Sequence, residues 1–132
     1  PFTVPLVTDA NRSRGPSGAS FGHTGPDEQG RVAMTKRWDP APVLIEDAGT
    51  VHEVGWREWR MEMDAGDPAS CVWTGDHIAS WRRDGWGVSV EARFELRADA
   101  QIFRLRESLV AREAGETIFE TASVSIIPRD LV

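Results

Sequence analysis

Few side chains in this 132-residue chain stand where chemistry would need them. Glu107 is the first. It sits on the apolar parity of a strand-like run, between Leu105 and Leu109, with Phe103 and Ala111 continuing the same face. A carboxylate in that position is costly to bury unless it is paired or protonated. It is either closed by an internal ion pair with an Arg, turned outward by a bulge, or an acid/base or pocket carboxylate. Gly18-Ala19-Ser20-Phe21-Gly22 matches the G-x-S-x-G pattern of a nucleophile elbow. That motif requires an apolar strand before it and a helix after it. Arg12-Ser13-Arg14-Gly15-Pro16 and His23-Thr24-Gly25-Pro26 supply neither, so Ser20 is not expected to be a nucleophile. The three His residues, at 23, 52 and 77, make no metal-ligand spacing. Their acidic neighbours Glu53 and Asp76 point to the opposite face if these segments are strands. No metal and no cofactor is expected, and no Gly-rich phosphate loop opens a helix.

The aromatic set carries the other signal. Six Trp and five Phe occur with no Tyr. Trp in a small β domain serves as core bulk or lines a pocket or an interface. Trp59, Trp73, Trp81 and His77 are the candidate substrate-binding residues, should an apolar pocket exist.

The elements that must position these residues read as β-strands. Residues 9–30 are punctuated by Gly and Pro and read as loop, giving an extended N-terminal segment over residues 1–30. Residues 31–132 read as a single β domain. Val32, Met34 and Trp38 share a parity that Lys36 interrupts, and Val43-Leu44-Ile45 is a short apolar run before the turn Asp47-Ala48-Gly49. Val54 and Trp56 lie on one parity, whereas Trp59, Met61 and Met63 lie on the other. An extra residue near Gly55–Glu58 would reconcile them as a β-bulge, with a helix as the rival reading. Asp84-Gly85 predicts a two-residue hairpin turn with positive φ at both positions. Val88, Val90, Ala92, Phe94 and Leu96 then alternate with polar residues. Turns at Ala98-Asp99-Ala100 and Gly115 separate two more strands, the last running from Ile118 to Ile127 and stopped by Pro128. The final three long strands predict a meander.

Composition bounds the rest. With 40% apolar and 27% charged residues, the chain reads as one soluble globular domain, too short for a complete α/β hydrolase or TIM barrel. Net charge is −6, spread along the chain with no basic face, so nucleic acid is not an expected partner. No apolar run is long enough for a membrane helix. Cys71 is alone, which excludes an internal disulfide and points to a reducing, cytoplasmic setting. The start, Pro1-Phe2-Thr3-Val4-Pro5, has neither an initiator Met nor the blocks of a signal peptide, as expected of a processed or excised chain.

The C-terminal half also carries a series: Asp67-Pro68-Ala69-Ser70, Trp73, Arg83-Asp84-Gly85-Trp86, Val90-Glu91-Ala92-Arg93, Ala98-Asp99-Ala100-Gln101-Ile102-Phe103-Arg104-Leu105 and Ile127-Pro128-Arg129-Asp130. It resembles the C-terminal domain of CocE/NonD-type serine hydrolases, the relatives of cocaine esterase and X-Pro dipeptidyl-peptidases. Ser123, Val124 and Ser125 depart from the Trp and acidic residues often found there. The resemblance implies an antiparallel, jelly-roll-like β-sandwich; a small closed β-barrel is the alternative. It also implies that the Ser-Asp-His triad lies in an α/β-hydrolase domain of the same or a neighbouring chain, on which this domain packs to shape the substrate pocket.

Three functions follow: that accessory domain, a stand-alone β-barrel enzyme of cyclase or hydratase type with a Trp-lined pocket and Glu107 as its acid/base, and a protein-interaction module. A homo-oligomer is compatible with each. Trp73 and Trp86 fall inside the family-like series, whereas Trp38, Trp56, Trp59 and Trp81 lie outside it.

Overall fold

Alternating side chains give this sheet two faces of opposite chemistry. The computed structural model describes residues 12–14, 18–45 and 49–129. Every regular element among them is a strand: β1 (Arg12–Arg14), β2 (Gly18–Thr24), β3 (Arg31–Asp39), β4 (Val43–Ile45), β5 (Thr50–Asp64), β6 (Asp67–Arg83), β7 (Trp86–Ala98), β8 (Ile102–Glu113) and β9 (Glu116–Pro128). All pairings are antiparallel, and β5 to β9 form a continuous meander. On its other edge β5 forks. Thr50–His52 pairs with β4, which carries β1, and Arg57–Asp64 pairs with β3, which carries β2. The strands form one sheet that does not close into a barrel, and the all-β, antiparallel fold is consistent with the sandwich class expected. The closed-barrel alternative is not what forms. None of the described segments is a helix long and apolar enough to cross a membrane.

The fork sits at the anticipated bulge. Val54 pairs with Ala79 and Arg57 with His77, leaving Gly55 and Trp56 opposite Ile78 alone. That extra residue shifts the side-chain parity, so Trp59, Met61 and Met63 join the same face as His52. The helical rival fails because β5 is strand throughout. The segment read as loop is corrected in part. Gly18–Thr24 is a full strand whose seven residues pair with Ala33–Asp39. Its two glycines hid the pattern, because only Ala19, Phe21 and His23 mark a face.

Following the register from strand to strand separates the faces. One carries Val32, Met34, Trp38, Trp59, Met61, Trp73, Ala79, Trp81, Val88, Val90, Phe94, Leu96, Leu105 and Leu109. The other is ionic. Arg93 Nε lies 2.9 Å from Asp76 Oδ1 and also pairs with Glu91. Arg97 meets Glu95 at 2.8 Å, Arg106 reaches the same carboxylate at 3.5 Å, and Arg112 reaches Glu91 at 3.4 Å. These pairs link β6, β7 and β8 on the solvent side, where each adds little individually.

Turn chemistry sets the hairpins. Gly85 takes φ +71°, but Asp84 does not take a positive φ, so the β6–β7 turn departs from the expected two-positive form. The β8–β9 turn has that form instead, with Ala114 at φ +49° and Gly115 at +86°. A left-handed alanine is strained by its Cβ, and Asn tolerates the region better. Ala114→Asn is expected to raise stability by roughly 0.5–1 kcal/mol, read as a higher urea midpoint at unchanged slope; an unchanged or lower midpoint would refute the strain.

At the opposite end Asp99 Oδ1 accepts the backbone N–H groups of Gln101 and Ile102, at 2.8 and 2.9 Å. Those bonds hold the Asp99 carboxyl below its ordinary range. The hydrogen bond from Arg60 does the same for Glu62, and that from Arg97 for Glu95. All three bind protons less readily folded than unfolded. Their contribution is complete above the unfolded carboxylate pKa of about 4 and disappears as pH falls through the lower folded values. The urea midpoint should stay level from neutral pH to about pH 5 and drop below about pH 4, with Asp99→Asn flattening the acid limb.

Candidate functional site

The apolar face carries one row of side chains that crosses seven strands in register. Phe21 pairs with Lys36, Lys36 with Trp59, Trp59 with Gly75, Gly75 with Phe94, Phe94 with Glu107, and Glu107 with Ser123. Around the middle of this row lies a hollow of about 360 Å³. Its walls include Trp59, Gly75, His77, Ala92, Phe94, Glu107, Leu109, Thr121 and Ser123. These residues come from β5 through β9. In a flat sheet β5 and β9 would stand four spacings apart, roughly 19 Å, so the sheet curls around the hollow.

Gly75 makes room for its centre. A Cβ at Gly75 would lie 2.2 Å from Cε1 of Phe94 and 2.8 Å from its Cζ. The Phe94 ring thus lies across the bare backbone of β6, a use of strand glycine that permits close approach. Trp73 braces that ring edge-on, with centroids 5.3 Å apart at 87°. On the other side of Gly75 stands Trp59, 44% exposed, with the Lys36 ammonium 5.2 Å from its ring centroid. That cation sits in the favourable position over the π-face. A second hollow, next to the first, is lined by Ala19, Lys36, Trp38 and Trp59.

Glu107 lies on the apolar face, as the parity of its strand requires, and no bulge turns it to the ionic side. It is exposed at the hollow and forms no ion pair or hydrogen bond among the described residues. The internal Arg partner expected for it is absent for a simple reason. The arginines of β7 and β8 at positions 93, 97, 104, 106 and 112 all project from the opposite face. His77 lines the same hollow, half-buried, with Nε2 shielded from solvent. The arrangement is a largely apolar hollow with one carboxylate in its wall.

Of the residues singled out from sequence, Trp59, His77 and Glu107 come together. Trp73 reaches the hollow only through Phe94. Trp81 lies further along β6 and stacks on His52, with centroids 4.8 Å apart and planes within 7°. Ser20 pairs with Arg37 and shares its face, whereas His23 pairs with Met34 on the apolar one, so the two cannot form a dyad. No group of three or more metal-ligating side chains occurs among the described residues. Sequence reading missed Phe94 and Gly75 as site residues. The isolated glycine within a strand pattern was the available signal. Comparison of the chain with protein families, characterised proteins and solved structures returns no match.

Because Phe94 occupies the space over Gly75, Gly75→Ala forces the ring aside. The expected cost is about 1–3 kcal/mol. Phe94→Leu in the same chain should recover part of it. Additive effects in that double-mutant cycle, measured by urea unfolding, would show that the two positions do not touch.

Proposed function

We propose that this chain is the non-catalytic accessory β domain of a CocE/NonD-type serine hydrolase, and that its apolar face packs on the α/β-hydrolase domain. One observation carries the reading. Among the described residues only Gly75 and Ala79 are buried, so no large apolar side chain is. Nine of the thirteen large exposed apolar side chains share one face, among them Phe21, Met34, Trp38, Trp59 and Trp73. Contiguous apolar surface of this kind marks a protein interface. The opposite face carries the ion-pair network that links β6, β7 and β8, so the sheet presents a charged side to solvent and an apolar side to a partner. The residue series in the C-terminal half supports the identity of that partner.

In this reading the curled row forms one wall of the substrate pocket. The hydrolase domain contributes the nucleophile and its base. Trp59 and Phe94 exclude water from the acyl or leaving group, and Glu107 supplies a fixed negative charge at the wall. The chain holds no step of the reaction itself.

A second reading, a free-standing pocket protein with its own chemistry, is favoured by the meeting of Trp59, His77 and Glu107 in one hollow. One experiment separates the two. The isolated chain is expected to leave p-nitrophenyl esters unhydrolysed and to bind a hydrophobic dye. A hydrolase domain encoded in the same or an adjacent reading frame should co-purify with it and displace the dye, and Trp59→Glu with Met61→Glu should abolish the association while the far-ultraviolet dichroism is kept. Failure to associate would sink the accessory reading. Ester turnover by the chain alone, lost in Glu107→Gln, would establish the second.

A further inference from the structure

We infer that the free edge of β9 is a self-association site, at which a second copy of this chain adds its own β9 across a two-fold axis at Ser123. Among the described residues β9 pairs with β8 alone, so its other edge presents backbone N–H and C=O groups that no described strand pairs. Free edges in monomers are blunted by lysine, proline, bulges or short length. The other edge strands, β1 and β2, have three and seven residues; β9 has thirteen. From Phe119 to Ile127 it has no Lys, no Pro and no Gly.

Its side chains are those of a strand covered on both sides. On the ionic face β8 shows Arg104, Arg106 and Arg112, whereas β9 beside it shows Val124 and Ile126, 61% and 53% exposed. The ends of the regular segment set the register. Ile118 is the extra residue of a bulge, because Ala111 pairs with Phe119 and Arg112 with Thr117. Pro128 closes the other end. Nine regular residues remain, Phe119 to Ile127, and their midpoint is Ser123.

Identical strands related by a two-fold axis are antiparallel by symmetry, so the segment carries its own complement. Centred on Ser123, Phe119 faces Ile127 of the second copy, Thr121 faces Ser125, and Ala122 faces Val124. Aromatic–aliphatic and hydroxyl pairs of this sort stabilise adjacent strands. Glu120 faces Ile126, whose neighbour on β8 is Arg104. Arg104 and Glu120 both stand outside the ion-pair network among the described residues. In the dimer they lie two strand spacings apart, roughly 10 Å at the backbone, within reach of the two extended side chains. The axis is normal to the sheet, so the apolar faces stay on one side and remain open to the hydrolase domain. The inference is therefore independent of the accessory reading.

The test is disulfide trapping in a Cys71→Ser background, with sedimentation velocity. Ser123→Cys brings its two copies to a paired Cα separation of about 4.5–5.5 Å, which a disulfide spans. Ser125→Cys leaves its copies roughly 14 Å apart. Rapid dimer formation is expected for the first and none for the second. Glu120→Arg should weaken the reversible dimer at least tenfold, and Arg104→Glu added to it should restore it. A monomer at about 100 μM, equal trapping at both positions, or a dimer indifferent to Glu120→Arg would each overturn the proposal; the last two would place association on another surface, such as the apolar face.

Discussion

A β-sheet with one apolar face must cover that face, and this constraint organises the chain. Burying an apolar side chain yields about 1.5–3 kcal/mol relative to leaving it in water. Here the strands place most of their large apolar residues on one side, with Leu44, Val51, Val72, Ile78, Val110, Val124 and Ile126 on the other, yet among the described residues no large apolar side chain is buried. The backbone ladders give the sheet its form, and the salt-bridged side gives it a solvent surface. What remains unspent is the hydrophobic term that ordinarily stabilises a domain. Under the proposed accessory role, docking of another domain is the step that would realise it.

Curling converts part of that open surface into a shaped hollow. The bulge at Gly55-Trp56 and the fork of β5 bend the sheet between the β4 and β3 arms. The bare backbone at Gly75 lets Phe94 lie flat and leaves depth between Trp59 and Glu107. In the proposed role, a pocket wall with those properties would confer selectivity without reacting. Its single carboxylate belongs to an otherwise apolar surface, so its energetic weight depends on what covers it.

Much of the architecture was legible before any coordinates. The period of two from Val88 to Leu96 set β7, the parity conflict between Trp56 and Trp59 located the bulge, and Pro128 ended β9. The illegible parts have physical causes. β2 offers only three face-marking side chains between glycines, so its pairing comes from β3 and not from its own pattern. Asp84-Gly85 and Ala114-Gly115 exchanged roles, because the backbone twist of each hairpin decides the turn and the dipeptide only biases it. The hollow was half-visible. Parity placed Glu107 on the apolar side, but which aromatic residues stand beside it depends on strand register, and a one-residue slip would have replaced them all.

The stacking of Lys36 on Trp59 has a consequence for how the face can be observed. Lys36 supplies the only side-chain amine in the chain, and it lines the second hollow beside Trp59, which the two hollows share. Any amine-directed reagent or acylating enzyme that modifies a side chain therefore reports on one place. Removing the positive charge withdraws the cation from the indole, so the modification is visible in tryptophan emission without a second label. The chain thus carries its own footprinting probe, a nucleophile and its fluorophore side by side, at the border of the surface whose covering matters most.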